Sequence, residues 1–290
     1  MKKVLVLVST IKKVDLYINS LIQDTQKLIT READIFVAAY SQLNFYIDGE
    51  KTYIYDSRNE KFLEDFDLIV SRVYQKSIEE ACAVAYYCAK KNLKMIDGEL
   101  PDLKQKLSSY FNIWLHDLPL PATAFGNNKF LQNIFDEWND EAAILKAIDS
   151  DKGRNNFLVR NTAELNKTLQ ENIDHEFVLQ RFIPNDGDYR ILVLNFTKTV
   201  ASLRQRQNHS HLNNVSVGGT ERFIDDYHGI ENVIEIAKLA AHAEQVEIAG
   251  VDVVVDKNNG AAYLMEVNRL PELTLSQEIA GFAELLSSLD

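Results

Sequence analysis

Over the first hundred residues, short apolar runs alternate with amphipathic segments. Residues 4–8 form an uninterrupted apolar run rich in valine, which is typical of a strand buried in a parallel sheet. Residues 34–39 and 66–70 predict two more strands, and residues 16–30 predict a helix between the first two. Ser77 is a predicted N-cap, because apolar residues follow it at helical spacing. This order of strands and helices predicts a largely parallel sheet covered on both faces.

The pattern changes after the turn-forming stretch 97–101, which indicates a boundary. A helix is predicted over about 102–116, and beyond residue 142 short strand-like segments follow one another. An antiparallel region is therefore expected from the segments 143–148, 156–160, 176–183, 188–195 and 199–203. After a helix predicted at 231–245, the segments 250–256 and 261–267 predict a hairpin.

Composition and charge narrow the function classes. Of the 290 residues, 46% are apolar and 26% are charged, as in ordinary globular proteins. The 31 lysines and arginines against 43 acids give a net charge of −12. Nucleic-acid binding usually depends on a basic surface, so no nucleic-acid partner is expected. A local basic pocket for a small anion is compatible with an acidic exterior.

Several common nucleotide-binding and cysteine motifs are missing. Neither G-x-G-x-x-G nor G-x-x-x-x-G-K-[ST] occurs. Two cysteines, Cys82 and Cys88, are too few for a disulfide framework or a Cys-rich zinc site, and we interpret both as small core residues. The N-terminal apolar run is too short for a signal peptide, and no stretch approaches the roughly 18 apolar residues of a membrane span. We therefore expect a soluble, cytoplasmic protein without a membrane partner.

Three oxygen-bearing side chains stand out in the predicted C-terminal hairpin. Glu266 and Asn268 alternate along one strand, so they point to one face about 7 Å apart. Asp252 lies on the neighbouring strand and can face them. Such a set suits Mg²⁺, with phosphate oxygens and waters completing the octahedron. The alternative interpretation is three polar residues at a solvated sheet edge.

Several basic residues lie where they could bind the phosphates or another anion. Lys146 lies inside an apolar strand, where a cation is costly unless an anion meets it. The polar segment 149–156 follows and reads as a mobile loop that could close over phosphates. Lys106 lies on the preceding predicted helix, where a solvated lysine is the alternative. Arg72 ends a predicted parallel strand, where open α/β sheets place ligands, although it too could be solvated.

A series of motifs, in chain order, resembles one known family. The series comprises Lys106 followed by Thr123, Lys146 in its strand, the strand 177–183, Asp188-Tyr189-Arg190, Arg204, Asn213-Asn214 before Gly218-Gly219, and the set Asp252, Glu266 and Asn268. Over residues 66–273 the chain is therefore similar to the ATP-grasp carboxylate–amine ligases. It most resembles the RimK-like group, which includes the ligase that adds glutamate to ribosomal protein S6.

The resemblance implies an α/β fold of the ATP-grasp (α+β) type in three units. These are an N-terminal parallel α/β substrate domain at 1–98, a small ATP-grasp subdomain at 99–182 and a C-terminal subdomain with the metal site at 183–290. It also implies an enzyme that needs ATP and Mg²⁺, with Mn²⁺ as an alternative metal. A carboxylate would become an acyl phosphate, and an amine would then form an amide, with an amino acid or peptide among the substrates.

The resemblance also implies a role for each matching residue. ATP binding is implied for Lys106, Lys146, Gln180, Arg181, Phe182, Ile183, Asp188 and Arg204, and metal binding for Asp252, Glu266 and Asn268. Catalysis is implied for Lys146, Arg204 and Asn214, and substrate binding for Arg72, Arg190, Asn213, Gly218 and Gly219. No covalent nucleophile is required, and His209 and His211 are interpreted as loop residues.

Two departures from the family pattern keep alternatives open. The phosphate-covering loop retains only Gly153, and Leu270-Pro271-Glu272 replaces the family's Ser-Pro-Gly beside the substrates. The protein could therefore be a catalytically weak ATP-binding regulator, or a ligase that modifies a ribosomal peptide. With 22 residues after Asn268, no C-terminal accessory domain is expected. Homo-oligomers are common in the family, so self-association is a further expectation.

Overall fold

The computed structural model describes residues 1–9, 15–29, 32–47, 52–73, 77–98, 106–139, 142–148, 155–206 and 219–288. The first elements are β1 (Lys2–Val8), α1 (Asp15–Leu28), β2 (Ala33–Ala39), β3 (Leu43–Tyr46), β4 (Tyr53–Asp56), β5 (Lys61–Phe62), β6 (Leu68–Arg72), α2 (Ile78–Lys91) and β7 (Met95–Ile96). The middle elements are α3 (Lys106–Leu115), β8 (Thr123–Phe125), α4 (Asn128–Trp138), β9 (Ala143–Ala147), β10 (Asn156–Val159), α5 (Thr162–Glu171) and β11 (Phe177–Arg181). The last are β12 (Asp188–Leu194), β13 (Lys198–Gln205), β14 (Thr220–Ile224), α6 (Glu231–Ala243), β15 (Ile248–Val255), β16 (Ala262–Asn268) and α7 (Ser276–Ser288).

The first sheet is parallel and has the strand order β2-β1-β6-β7. Successive side chains of β1 point to opposite faces, as strand geometry requires. Val4 and Val6 pack in a core with residues of α1 and α7, whereas Leu5 and Leu7 pack with residues of α2. The prediction of a parallel sheet covered on both faces is therefore confirmed. A small antiparallel sheet of β3, β4 and β5 adjoins it.

The second sheet is antiparallel and has the order β10-β9-β11-β8. One of its faces packs against α4 and α5, through residues such as Leu131 and Leu165, and forms a core of its own. Lys146 alternates with Leu145 along β9 and so points to the other face of this sheet.

The third sheet is antiparallel throughout, with the order β14-β13-β12-β15-β16. The predicted hairpin is present as β15 and β16, in which Asp252 pairs with Glu266 and a bulge follows Asp252. One face packs against α6 and α3 through a core that includes Val193, Ala201 and Val251. The antiparallel region predicted beyond residue 142 is thus confirmed.

The opposite face of the third sheet is divided into an apolar and a polar half. Leu192, Leu194 and Val200 belong to the same buried core as the valines of β1 and the α7 residue Phe282. Toward the other end of β12, the same face carries alternating acidic and basic side chains from Asp188 to Asp252. The N-terminal sheet therefore packs on the apolar half of this face, and the charged half lies beside that contact.

Ser77 occupies the N-cap position of α2, as predicted, although its hydroxyl donates to the Ser9 carbonyl (3.1 Å) and makes no cap bond. The interpretation of both cysteines as core residues needs correction. Cys88 is buried, whereas Cys82 is only half-buried; both are free thiols. In the described ranges, no helix is both long and apolar enough to cross a bilayer.

Asp97, just after β7, joins the first sheet to the third through reciprocal hydrogen bonds. Its backbone N–H donates to the Glu247 carboxylate, and the Glu247 N–H donates to the Asp97 carboxylate, both at 2.7 Å. Burial raises the pKa of Asp97 to about 7, and the Glu247 charge acts in the same direction. The native protein therefore holds a proton here that the unfolded chain releases above its ordinary pKa of about 4.

We accordingly expect the free energy of unfolding to fall as the pH rises from about 4 to about 7. Asp97→Asn keeps an acceptor for the Glu247 N–H but removes the charge, so its melting temperature should exceed that of the wild type at pH 8. Thermal unfolding at pH 4.5 and pH 8 measures the difference. Asp174→Asn, at an exposed turn, is the matched control. An unchanged pH dependence in Asp97→Asn would contradict the assignment.

Candidate active site

The polar half of the third sheet holds four alternating charges on three neighbouring strands. Arg204 on β13 grips Asp188 on β12 with two hydrogen bonds, Nε to Oδ1 at 3.0 Å and Nη2 to Oδ2 at 2.7 Å. Its Nη2 also lies 2.8 Å from Oδ2 of Asp252 on β15. Arg190 on β12 donates through Nη1 to Oδ1 of the same Asp252 at 2.6 Å. Each oxygen of Asp252 is therefore held by a different arginine.

The ionisation of the two acids differs because their neighbours differ. Burial disfavours the charged form of Asp252, but Arg190 and Arg204 together outweigh it and hold its pKa below the ordinary value. Burial raises the pKa of Asp188 to about 6 against the opposing charge of Arg204. For Arg204, burial is overcome by Asp252 and Asp188, which raise its pKa. Arg204 is thus a permanent cation at the centre of the cluster.

The predicted lysines lie across from this cluster, on the second sheet and on α3. Lys146 Nζ donates to Oε1 of Gln180 at 2.6 Å, and the Gln180 amide in turn donates to the Thr123 hydroxyl at 3.1 Å. Lys106 Nζ donates to the carbonyl of Ala147 at 2.7 Å. Burial lowers the pKa of Lys146 to about 8, with Glu266 opposing and Lys106 reinforcing the shift. The charges of Glu266 and Asp252 act on Lys146, and Lys106 lies close enough to Lys146 to act on its pKa as well.

The end of β11 carries the remaining residues that the resemblance implies for ATP. The Gln180 side chain is fully buried and holds Lys146. Arg181 turns away, since its guanidinium lies 5.4 Å from the ring centre of Trp138. Phe182 lines an open groove of about 650 Å³ together with Leu158 and Arg206. Ile183 is buried beside it.

The three oxygen ligands predicted for a metal lie on adjacent strands, as expected. Glu266 pairs with Asp252, and its charge acts on the pKa of Lys146. The Asn268 Oδ1 accepts from the Leu270 N–H at 2.9 Å. In the parts of the chain that the structure describes, no three His, Cys, Asp or Glu side chains group closely enough to hold a metal by themselves. The donor types fit Mg²⁺, but the arginines already engage both oxygens of Asp252.

Arg72 is not solvated, because only 6% of it is exposed. Its Nη2 donates to the carbonyl of Pro271 at 2.7 Å, in the loop that departs from the family pattern. The ring of Pro271 also adjoins Arg190, since a Cβ built on Gly250 would lie 2.7 Å from the Arg190 Cζ and 2.8 Å from the Pro271 Cβ. Arg72 and Arg190, from different sheets, therefore converge on one proline.

Several predicted residues lie outside the described residues: Asn213, Asn214, Gly218, His209, His211 and the segment 149–154. Gly219 is described and leads directly into β14.

The sequence interpretation missed Glu221, which follows on β14. It pairs with Arg204 across the sheet and accepts a hydrogen bond from the Ser202 hydroxyl at 2.5 Å. The alternation of side chains along β14 shows which residues share a face with Glu221, but only the pairing with β13 shows that this face is the one that carries Arg204.

The sequence also matches a protein-family model. The model of the RimK-like ATP-grasp domain matches residues 104–284, more than half of the chain. The chain belongs to the RimK-like ATP-grasp family. No curated protein matches its sequence. The matched residues include every described side chain of the charged cluster and both lysines.

Solved structures show that this RimK-like protein shares its whole fold with ATP-grasp ligases. The ligase PsnB, complexed with a variant of its minimal precursor, Mg and ADP, superposes with a TM-score of 0.74 at 12% identity, over 98% of this chain and 97% of PsnB. The macrocyclase MdnC from Microcystis aeruginosa, bound with its precursor peptide MdnA, gives 0.70 at 13% identity, over 99% and 100%. D-alanine–D-alanine ligase from Bacillus anthracis with ATP gives 0.65 at 14%, over 99% and 95%. The predicted ATP-grasp fold is therefore confirmed.

Proposed function

We propose that the protein is an ATP-dependent ligase that joins a carboxylate to an amine through an acyl phosphate. The observation that carries the proposal is the placement of half-buried Lys146 opposite the charged face of Asp188, Arg204, Asp252 and Glu266. A partly desolvated lysine with a lowered pKa is stabilised by an anion, and the γ-phosphate of ATP is an anion of the right size and charge. The acids beside it are suited to a metal that accompanies that phosphate.

In the proposed reaction, a carboxylate oxygen attacks the γ-phosphorus and the bond from that phosphorus to ADP breaks. The amine nitrogen then attacks the acyl carbon, phosphate leaves with the electrons of the C–O bond, and the nitrogen loses its extra protons to solvent. Phosphoryl transfer depends mainly on positioning and charge neutralisation. Lys106, Lys146 and Arg204 would neutralise the phosphates, and Asn214 would contribute to catalysis, as the resemblance implies.

Nucleotide and metal would occupy the gap between the second and third sheets. The backbone of Gln180, Arg181, Phe182 and Ile183 would contact adenine, and Asp188 would face the ribose. Asp252, Glu266 and Asn268 would hold Mg²⁺, which supplies Lewis-acid stabilisation to the phosphate oxygens when bound.

The substrates would meet on the side of the N-terminal sheet. Arg72 and Arg190 are placed to receive a carboxylate. Asn213, Gly218 and Gly219 would also bind substrate, as the resemblance to the family implies. Glu221, on β14 with two strands between it and Asp252 on β15, is placed to attract the protonated amine.

A ribosomal peptide is the second candidate for the carboxylate substrate. MdnC and PsnB, which share this fold, bind precursor peptides, whereas D-alanine–D-alanine ligase also shares it. A catalytically weak ATP-binding regulator stays a third hypothesis, because the loop at Pro271 differs from the family pattern.

The proposal is tested by ADP release with Mg·ATP and a panel of free amino acids and of peptides that contain glutamate or aspartate. Hydroxylamine should trap the acyl phosphate as a hydroxamate, so ADP and hydroxamate should appear together and only with a carboxylate present. Lys129→Ala, a change on the outer helix α4, should leave the rate unchanged. Binding of Mg·ATP without ADP release across the panel would favour the regulator.

A further inference from the structure

Both oxygens of Asp252 are committed to arginines, and this arrangement bears on how a metal enters the site. We propose that Asp252 is exchanged between Arg190 and the incoming metal, so that capture of the metal–nucleotide complex releases the Arg190 guanidinium to bind the substrate carboxylate. This inference rests on the proposed function, because it takes Asp252 as a metal ligand and Arg190 as a substrate ligand.

The first step of the argument is competition for the same oxygen. Arg190 Nη1 lies 2.6 Å from Asp252 Oδ1, and the two side chains are only 14% and 15% exposed. Mg²⁺ binds a carboxylate oxygen at about 2.1 Å and would bring two positive charges to that point. A guanidinium and a divalent cation compete for Oδ1 at these distances, since they repel each other in a site with little water.

Arg190 is the arginine that can leave. Arg204 is fixed by two hydrogen bonds to Asp188 in addition to its contact with Asp252, so displacing it would strand a second buried acid. Arg190 has one short bond to a carboxylate and one long contact, 3.4 Å, to the Gly250 carbonyl. Less is lost when the Arg190 guanidinium moves.

The released guanidinium would stay in the substrate region. It lies against Gly250, where a Cβ would approach the Arg190 Cζ to 2.7 Å, and next to Pro271. The carbonyl of Pro271 is held by Arg72 at 2.7 Å. A short movement away from Asp252 therefore leaves Arg190 beside Arg72, and two arginines together suit a carboxylate. The carboxylate site would be complete only after metal and nucleotide have bound.

The exchange is tested by electron paramagnetic resonance of Mn²⁺, with Mn²⁺ and ADP as the probes. Wild-type protein should bind Mn²⁺ weakly alone and much more tightly with ADP. Arg190→Gln should bind Mn²⁺ alone at least about tenfold more tightly than the wild type, the scale of one charge-assisted hydrogen bond. Arg222→Gln is the matched control, because it removes the same charge from an exposed side chain on β14. Gly250→Ala should act in the same direction as Arg190→Gln without changing the charge, by displacing the guanidinium.

The outcomes separate this inference from the proposed function. If ADP promotes Mn²⁺ binding but Arg190→Gln and Gly250→Ala leave the affinity for Mn²⁺ alone unchanged, the exchange is wrong and the metal site stands. Tight binding of Mn²⁺ to wild-type protein without ADP would overturn the exchange in the same way. If ADP promotes no Mn²⁺ binding in any variant, the metal site itself fails, and the exchange fails with it.

Discussion

Replacing Arg204 by leucine is expected to abolish turnover and to destabilise the fold by about 3–5 kcal/mol, the usual cost of stranding a buried ion-pair partner. Arg204 is 8% exposed and contacts both Asp188 and Asp252. Without it, Asp188 loses two hydrogen bonds and should take up a proton at neutral pH, because burial already raises its pKa to about 6. Urea unfolding and ADP release measure the two effects.

Two further variants test whether the effect of Arg204→Leu comes from the lost hydrogen bonds to Asp188 and Asp252. Arg204→Lys keeps the charge but cannot grip Asp188 with two parallel bonds, so it should lie between the wild type and Arg204→Leu in stability. Arg222→Leu, on the next strand and exposed, should change stability by no more than about 0.5 kcal/mol. Near wild-type stability of Arg204→Leu would mean that the cluster is not the buried network described above.

The second large effect is expected at Lys146, where Lys146→Met should lower kcat/KM for ATP by about 10²–10³-fold. Removal of one preorganised donor to a developing negative charge typically has an effect of this size. The same substitution should raise stability at pH 7. Burial lowers the pKa of Lys146 from about 10.5 in the unfolded chain to about 8 in the native protein. Below about pH 8 the native protein therefore bears the full cost of a desolvated charged lysine, and this cost disappears as the pH rises from about 8 to about 10.5.

The pH dependence of nucleotide affinity gives the second readout for Lys146. The affinity of the wild type for a nonhydrolysable ATP analogue should weaken as the pH rises through about 8, because the free protein loses the lysine charge. Lys146→Met should lack that component, whereas Lys129→Met should retain it. If the melting temperature of Lys146→Met fell at pH 7 and its nucleotide affinity kept the wild-type pH profile, the assignment of Lys146 to a phosphate site would be wrong.

The sequence predicted the parts of the fold that depend on local patterns. The valine run of β1 and the alternation through Asp252, Glu266 and Asn268 correspond to a buried parallel strand and a real hairpin. Helix α4 could have been found as well, since Asn127 caps it by accepting from the Phe130 N–H at 3.0 Å. Helix α7 carries the same kind of local signal, because its buried residues Glu278, Phe282 and Leu286 follow one another at the spacing of one helix face.

The contacts that define the site depend on pairings between residues far apart in sequence. Arg190 and Asp252 are separated by 62 residues, and Arg72 and Pro271 by 199. No local pattern determines which strands become neighbours. The motifs therefore indicated which residues belong to the site, but not which of these residues contact one another. The resemblance placed Asp188 at a ribose and Asp252 at a metal; the structure adds that both are held by Arg204.

The core that β1 and β6 share with β12, β13 and α7 has a consequence for how the chain folds. The family match begins at residue 104, yet Leu192, Leu194, Val200 and Phe282 bury their side chains against a sheet that ends before it. A chain that began at residue 104 would expose this apolar surface to water, at about 25 cal/mol for each Å². The N-terminal sheet and the third sheet should therefore unfold as one cooperative unit, and the evolutionary boundary of the domain is not a folding boundary.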